Sequence, residues 1–137
     1  MRIIILSRGG ANYTTKRLKQ VAIERGHKVR VISYTKCYMA MEKGKPVVYY
    51  KGKPITKVDA IIPRIAQSYT KYGTAVVRQF EMMGVFTTAS SMAISRSRDK
   101  LRSYQLMSKN GVGIPKTVFA RENVDYKDVL EMVGGAP

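Results

Sequence analysis

The sequence predicts an α/β fold with a mainly parallel sheet flanked by helices, and three observations carry that expectation. Arg2–Ser7 (RIIILS) is a continuous apolar run, the pattern of a strand buried on both faces. A helical pattern follows, and then Lys28–Tyr34 (KVRVISY) alternates apolar and polar residues as a second strand. Strand, helix and strand within about 30 residues make a βαβ unit, whose strands run parallel.

The elements follow in order. Gly9 and Gly10 break the first strand, and Thr14 or Thr15 can cap a helix in which Leu18, Val21, Ala22 and Arg25 share a face, closed by Gly26. Cys37–Lys43 has weak helical character. Val47–Tyr50, the Lys51-Gly52 pair and Lys53–Thr56 read as a small hairpin with glycine in the turn. Asp59–Arg64 (DAIIPR) returns to a buried-strand pattern, ended by Pro63. Tyr72, Ala75, Val76, Gln79, Phe80 and Met83 mark an amphipathic helix that Gly84 stops. A short strand (Val85–Thr87) and a short helix (Ser90–Ser95) complete this part. From Arg96 the character changes. Leu101, Tyr104 and Met107 share one side of a helix that starts near Ser97 and ends before Gly111. Lys116–Ala120 reads as a strand and the region from Asp125 as a closing helix. The expected boundary lies near residue 95, dividing 1–95 from 96–137. The final stretch VLEMVGGAP reads as a helix, a glycine turn and the threshold of a further strand, an ending expected of one part of a longer protein.

Composition narrows the function classes. With 45% apolar residues the chain should fold as a globule. No apolar run approaches the roughly 20 residues a membrane span needs. The single Cys37 builds no disulfide framework, which fits a reducing, cytoplasmic setting, and a free cysteine is by default a small buried hydrophobe. Lys and Arg number 25 against 9 acids. Residues 1–60 hold 14 basic and 3 acidic side chains, residues 61–100 hold 6 and 2, and residues 101–137 hold 5 and 4. The basic field therefore belongs to the N-terminal half and favours polyanions: nucleic acid, an acidic membrane surface, nucleotide phosphates or an acidic polypeptide, beside the plain reading of lysines on solvated faces.

Few motifs carry chemistry by themselves. Ser7-Arg8-Gly9-Gly10 follows the first strand, where open α/β sheets bind ligands, but its spacing is neither a dinucleotide fingerprint nor a P-loop. Arg64 stands at the carboxyl end of the Asp59–Ile62 strand. Its fork could bind a carboxylate, or it could pair locally with Asp59 or Glu81. His27 reads as a surface residue, and neither a metal-ligand set nor a nucleophilic triad can be assembled, so no metal ligand and no catalytic residue is expected. Around Ser97, the residues Arg96, Arg98, Lys100 and Arg102 would surround a helix start. A phosphate suits such a place, although the helix dipole disfavours Lys100 there, and a basic surface turn with Asp99 partnering a neighbour explains the stretch equally well.

Together with its surroundings this stretch resembles a known family. Asp99-Lys100 followed by Leu101, Leu106, Gly111 and Pro115 is similar to the opening segment of ATP-grasp ligases, and Gly134-Gly135-Ala136-Pro137 looks like the start of their G-G-x-P-x-V-x-K strand. ILSR, KRL, ERGH, CYM, YYKGKP, DAIIPRI, YGTA, RQFEMMG, SRDK and EMVGGAP, in that order, resemble the RimK family across essentially all 137 residues. These are bacterial glutamate ligases that modify the C-terminus of a small-subunit ribosomal protein.

The resemblance implies a Rossmann-like pre-ATP-grasp domain over 1–95 and an incomplete start of the ATP-grasp domain over 96–137. It implies ATP-dependent ligation through an acyl-phosphate, with ATP and Mg²⁺ (or Mn²⁺) as cofactors of the full-length enzyme. Glutamate and the acidic C-terminal tail of a ribosomal protein are the implied partners, within a homo-oligomer. Lys100 matches the family's phosphate-reaching lysine, and Ser7, Arg8 and Arg64 become candidates for substrate carboxylate contacts. Because the strand lysine, the adenine-binding segment and the acidic metal ligands have no counterpart here, this chain alone is expected to fold through residue 95 without hydrolysing ATP or binding cofactor tightly. Two other readings stand beside this one. One is an ATP-grasp ligase for a different acid or amine, such as an amino-group carrier protein. The other is a basic, non-catalytic α/β module that binds ribosomal RNA or another polyanion, although neither an RNP-like aromatic pair nor a G-x-x-G loop of the K-homology type supports it and nucleic acid is expected to bind only nonspecifically.

Overall fold

The computed structural model describes residues 1–135. The expected onset of a strand at Gly134–Pro137 thus lies partly outside the described residues. The chain divides into two compact units, Met1–Arg98 and the part from Asp99 onward.

The first unit opens with β1 (Arg2–Ser7), α1 (Tyr13–Glu24) and β2 (Lys28–Ile32). An antiparallel insert follows, made of β3 (Cys37–Glu42), β4 (Lys45–Tyr50) and β5 (Lys53–Pro54). Next come β6 (Ala60–Arg64), α2 (Thr70–Met82), β7 (Phe86–Thr87) and α3 (Ser91–Arg98). The main sheet is parallel throughout, in the order β2-β1-β6-β7. The chain runs from β1 outward through α1 and from β6 outward the opposite way through α2, and the right-handed crossover rule for parallel strands then sets the two helices on opposite faces. The strand order therefore reverses between β1 and β6, and Ser7 lies in register with Arg64 at the carboxyl ends of those two strands. Such a reversal opens a crevice in open α/β sheets.

The core joins both sheets. Ile4, Leu6, Ile32 and Ile61 pack with Val76, Val77 and Phe80 of α2, and with Tyr34, Cys37, Val48 and Ile55 from the insert and its approaches. Gln79 of α2 ties the insert down, donating to the carbonyls of Ala40 (3.0 Å) and Val47 (3.4 Å). Burial pushes the Cys37 thiol up to about 11, leaving it protonated and inert.

Several local expectations are corrected. α1 is capped by Asn12, not Thr14 or Thr15: its side chain accepts the Thr15 N–H at 2.8 Å, and Thr15 is buried instead. The second strand stops at Ile32, and Tyr34 begins a short 3₁₀ turn. Cys37–Glu42 is a strand, because pairing residue for residue with Lys45–Tyr50 outweighs a weak helical pattern. The hairpin at Lys51-Gly52 is present, with both residues at positive φ (51° and 76°), the conformation that two-residue hairpin turns require. Pro63 does not end β6: it pairs with Leu6 within the strand. In α2 the buried face includes Gly73, Thr74 and Val77 beside Val76, Gln79 and Phe80, while Tyr72 stays at the rim.

In the second unit, α4 (Lys100–Lys109) and α5 (Tyr126–Val133) are joined by an irregular connection. Asp99, not Ser97, caps α4, accepting the Arg102 N–H at 3.0 Å, while Ser97 bonds back to Ile94 inside α3. Lys116–Ala120 is not a strand among the described residues. A lone extended segment has no neighbour to satisfy its backbone groups, and none pairs with it here.

One long-range ion pair fastens the start of β1. Asp59 accepts the Arg2 backbone N–H (2.6 Å) and its guanidinium (2.7 Å), which holds the Asp59 carboxyl down at about 2 against an ordinary 3.8. A carboxyl lowered in the folded state stabilises fully above its unfolded value and loses that contribution as pH falls through the folded value. The Tm difference between the wild-type chain and Asp59→Asn is therefore expected to be constant above about pH 5 and to shrink toward pH 2. Thermal melts across that range check it, and a constant difference would rule out the ion pair as the cause.

Candidate functional site

The crevice at the strand reversal is where the sequence-derived candidates meet. Ser7 ends β1 and is buried. Its hydroxyl donates to the Gly9 carbonyl (2.7 Å) and lies 3.3 Å from Thr15 Oγ1, tying the following loop to the first turn of α1. That hydroxyl shapes the loop. Arg8 comes next: its carbonyl accepts the Ser33 hydroxyl (3.2 Å), and its guanidinium sits over the Tyr69 ring, 5.7 Å from the centroid. Tyr69 in turn meets Tyr34 edge-on at 6.4 Å, and the buried Tyr34 hydroxyl accepts the Ala66 N–H at 3.1 Å. A chain of contacts thus fixes both Arg8 and the backbone just after Arg64.

Arg64 ends β6 and is exposed. The local ion pairs open to it from sequence are taken by others: Asp59 by Arg2, and Glu81 by the Ser91 N–H and hydroxyl at 2.8 and 2.7 Å. A third guanidinium completes the group. Arg98, the last residue of α3, donates from Nη2 to the Ile65 carbonyl at 3.1 Å. Sequence reading places Arg98 beside Lys100 at a helix start. The fold places it with Arg64, because α3 returns past the loop that follows β6. No local pattern reports a contact across 33 residues.

Arg8, Arg64 and Arg98, with Ser7, Asn12 and Ile65, line a cleft of about 420 Å³ within the first unit, and no acidic side chain lines it. Three planar forks facing one small volume suit a ligand with several carboxylate or phosphate oxygens, since each fork can meet a carboxylate through two parallel hydrogen bonds.

Lys100 lies elsewhere. It is the first residue of α4, exposed, and borders a cleft of about 610 Å³ within the second unit, walled by Leu101, Tyr104, Ile114 and Phe119. This cleft is largely apolar with cations at its edge, the character of a site for a flat ring system that carries a charged group. Among the described residues no three His, Cys, Asp or Glu side chains gather where they could hold a metal ion, and no helix is long and apolar enough to cross a membrane.

Comparison with known proteins adds to this geometry. Residues 1–94 match the RimK PreATP-grasp domain. The whole chain is 56% identical to a protein of Vibrio cholerae named "Probable alpha-L-glutamate ligase", covering 46% of that protein, and 58% identical to one of the same name from Hydrogenovibrio crunogenus, again over 46% of its length. The chain thus spans about half the length of the curated relatives it matches. Among solved structures, the ATP-grasp ligase PsnB complexed with a minimal precursor superposes with a TM-score of 0.71 at 14% identity, over 96% of this chain and 50% of PsnB. The macrocyclase MdnB of Microcystis aeruginosa gives 0.69 at 15% identity, over 96% and 58%. At such identities the likeness is one of fold.

Proposed function

The chain belongs to the RimK family through its PreATP-grasp domain, and from that premise we propose that it is the substrate-side portion of an ATP-dependent carboxylate–amine ligase. The reaction joins glutamate to the C-terminus of an acceptor, a small-subunit ribosomal protein, by way of an acyl-phosphate. The observation that carries the reading is the acid-free cleft of Arg8, Arg64 and Arg98 at the strand reversal. Free glutamate and an acidic peptide end are both rich in carboxylates, and three guanidiniums offset the cost of gathering those charges.

In this reading Arg64 and Arg98 grip carboxylate oxygens, and Arg8, steadied over Tyr69, closes the third side. Ser7 keeps the β1–α1 loop in place. Lys100 is the residue here that would approach the ATP phosphates, and the apolar wall beside it would accept the base. ATP supplies the phosphoryl group that activates the carboxyl. The described residues gather no ligand set for Mg²⁺, and none of them is assigned a metal-binding role. The full-length enzyme is expected to work as a cytoplasmic homo-oligomer, with 1–95 and 96–137 serving as its pre-ATP-grasp domain and the start of its ATP-grasp domain.

The test compares this chain with a protein extended to the length of its relatives. The extended protein should release ADP only when ATP, glutamate and an acidic C-terminal peptide are all present, with the peptide lengthened by glutamate in the mass spectrum. This chain alone should release none. Glutamate-dependent ADP release by the chain alone, or its absence from the extended protein, would overturn the respective half of the proposal.

A further inference from the structure

The insert β3–β5 carries charge and aromatic surface that the arginine cleft does not use. Residues 36–57 hold six lysines (Lys36, Lys43, Lys45, Lys51, Lys53 and Lys57) against the single acid Glu42, and between Arg30 and Arg64 every basic side chain is a lysine. One face of this small sheet is committed to the core through Cys37, Met39, Val48 and Tyr50. The alternating positions place Tyr38, Tyr49 and Pro54 in one register row on the other face. There Tyr38 and Tyr49 stack, with ring centroids 5.3 Å apart and planes within 10° of parallel, and Tyr38 is 48% exposed. Lys45 shares that face, opposite Glu42, and Lys43 lies in the adjoining hairpin turn, both lysines exposed, while the Lys51 ammonium sits over the Tyr50 ring on the other side, 5.7 Å from its centroid. The sequence scatters these two tyrosines eleven positions apart, and only strand pairing makes them a flat aromatic platform with a cationic border.

We infer that this face of the insert docks single-stranded nucleic acid, with a base stacked on the open side of Tyr38 and lysines on the neighbouring phosphates. Charge complementarity admits any polyanion, but the aromatic pair selects among them. A base has a planar π-face that continues the stack, whereas a glutamate tail has none and would gain nothing from it. The kind of cation agrees. Lysines act as point charges along a phosphate backbone, while the forks suited to carboxylates are gathered in the separate arginine cleft. The inference does not depend on the ligase reading.

The experiment uses the 137-residue chain and a fluorescein-labelled single-stranded RNA of about twelve nucleotides, within the span that single-strand sites cover. Anisotropy titrations at several salt concentrations are run beside the duplex form of the same RNA and a polyglutamate peptide of matched charge. The single strand should bind about tenfold more tightly than either, since a stacked base contributes a factor of this order. Tyr38→Leu should remove most of that preference and leave the salt slope unchanged. Lys43→Gln/Lys45→Gln should weaken all binding and flatten the slope of log K against log salt by roughly 1.4, as two phosphate contacts are lost. The chain has no tryptophan, so quenching of tyrosine fluorescence by RNA gives a second signal, expected to diminish in Tyr38→Leu. Circular dichroism and melts confirm that each variant is folded. Equal binding of polyglutamate, equal binding of the duplex, or a folded Tyr38→Leu that binds like the wild type would each overturn the inference.

Discussion

Arg64→Ala is expected to weaken binding of a glutamate-ended acidic peptide about 10- to 100-fold, because a hydrogen bond between charged groups contributes roughly 1.5–3 kcal/mol. Isothermal titration on the chain, and kcat/KM in a protein of the relatives' length, would both read it. Stability should hardly change, since the Arg64 side chain is exposed and its local acids are already engaged by Arg2 and Ser91. Arg64→Lys separates charge from shape. If the fork matters, lysine restores only a small part of the loss, because a point charge cannot make two parallel bonds to one carboxylate. Arg98→Ala should also weaken binding, with a non-additive double variant, because Arg98 holds the Ile65 carbonyl next to Arg64. Unchanged affinity in Arg64→Ala would remove this cleft from the proposed substrate site.

Which parts of this arrangement could be read from sequence follows from the range of the forces involved. β1 and β6 are apolar without interruption because both faces are covered, and that pattern is visible in one dimension. The carboxyl-end position of Arg8 and Arg64 follows from it. β3 was hidden because Cys37–Glu42 becomes a strand only by pairing with Lys45–Tyr50, and an isolated window cannot see its partner. Caps misled by one or a few positions: Asn12 and Asp99 each reach a backbone N–H three residues on, as nearby Ser and Thr residues could also have done. Arg98 stayed outside the expected cleft for a different reason. Its sequence neighbours are Asp99 and Lys100, so charge patterning groups it with them, while its bond partner is Ile65. The stacked pair Tyr38 and Tyr49 was illegible for the same reason as β3.

Gly73→Ala tests how tightly the cleft is braced from behind. In an unhindered helix the change would stabilise by about 1 kcal/mol, through reduced backbone entropy of the unfolded chain. Gly73 is not unhindered. An added Cβ would lie 3.0 Å from Ile65 Cδ1, 3.2 Å from Cγ1 and closer still to Cγ2. Ile65 cannot retreat cheaply, for it is 8% exposed, its carbonyl is held by Arg98, and the next N–H is held by Tyr34. Overpacking of this kind costs about 1–3 kcal/mol, which cancels or outweighs the helix gain. A net loss of up to about 2 kcal/mol is expected, with the Tm lower by about 4–8 °C for each kcal/mol in a unit of this size. Ile65→Ala removes the obstructing atoms, so the double variant Gly73→Ala/Ile65→Ala should be more stable than the sum of the single effects, with a coupling above about 0.5 kcal/mol. Because Ile65 directly follows Arg64 at the end of β6, the single variant should weaken acidic-peptide binding at temperatures where it remains folded. A Gly73→Ala chain that melts above the wild type would show that Ile65 yields freely, and the bracing of the arginine cleft by α2 would have to be abandoned.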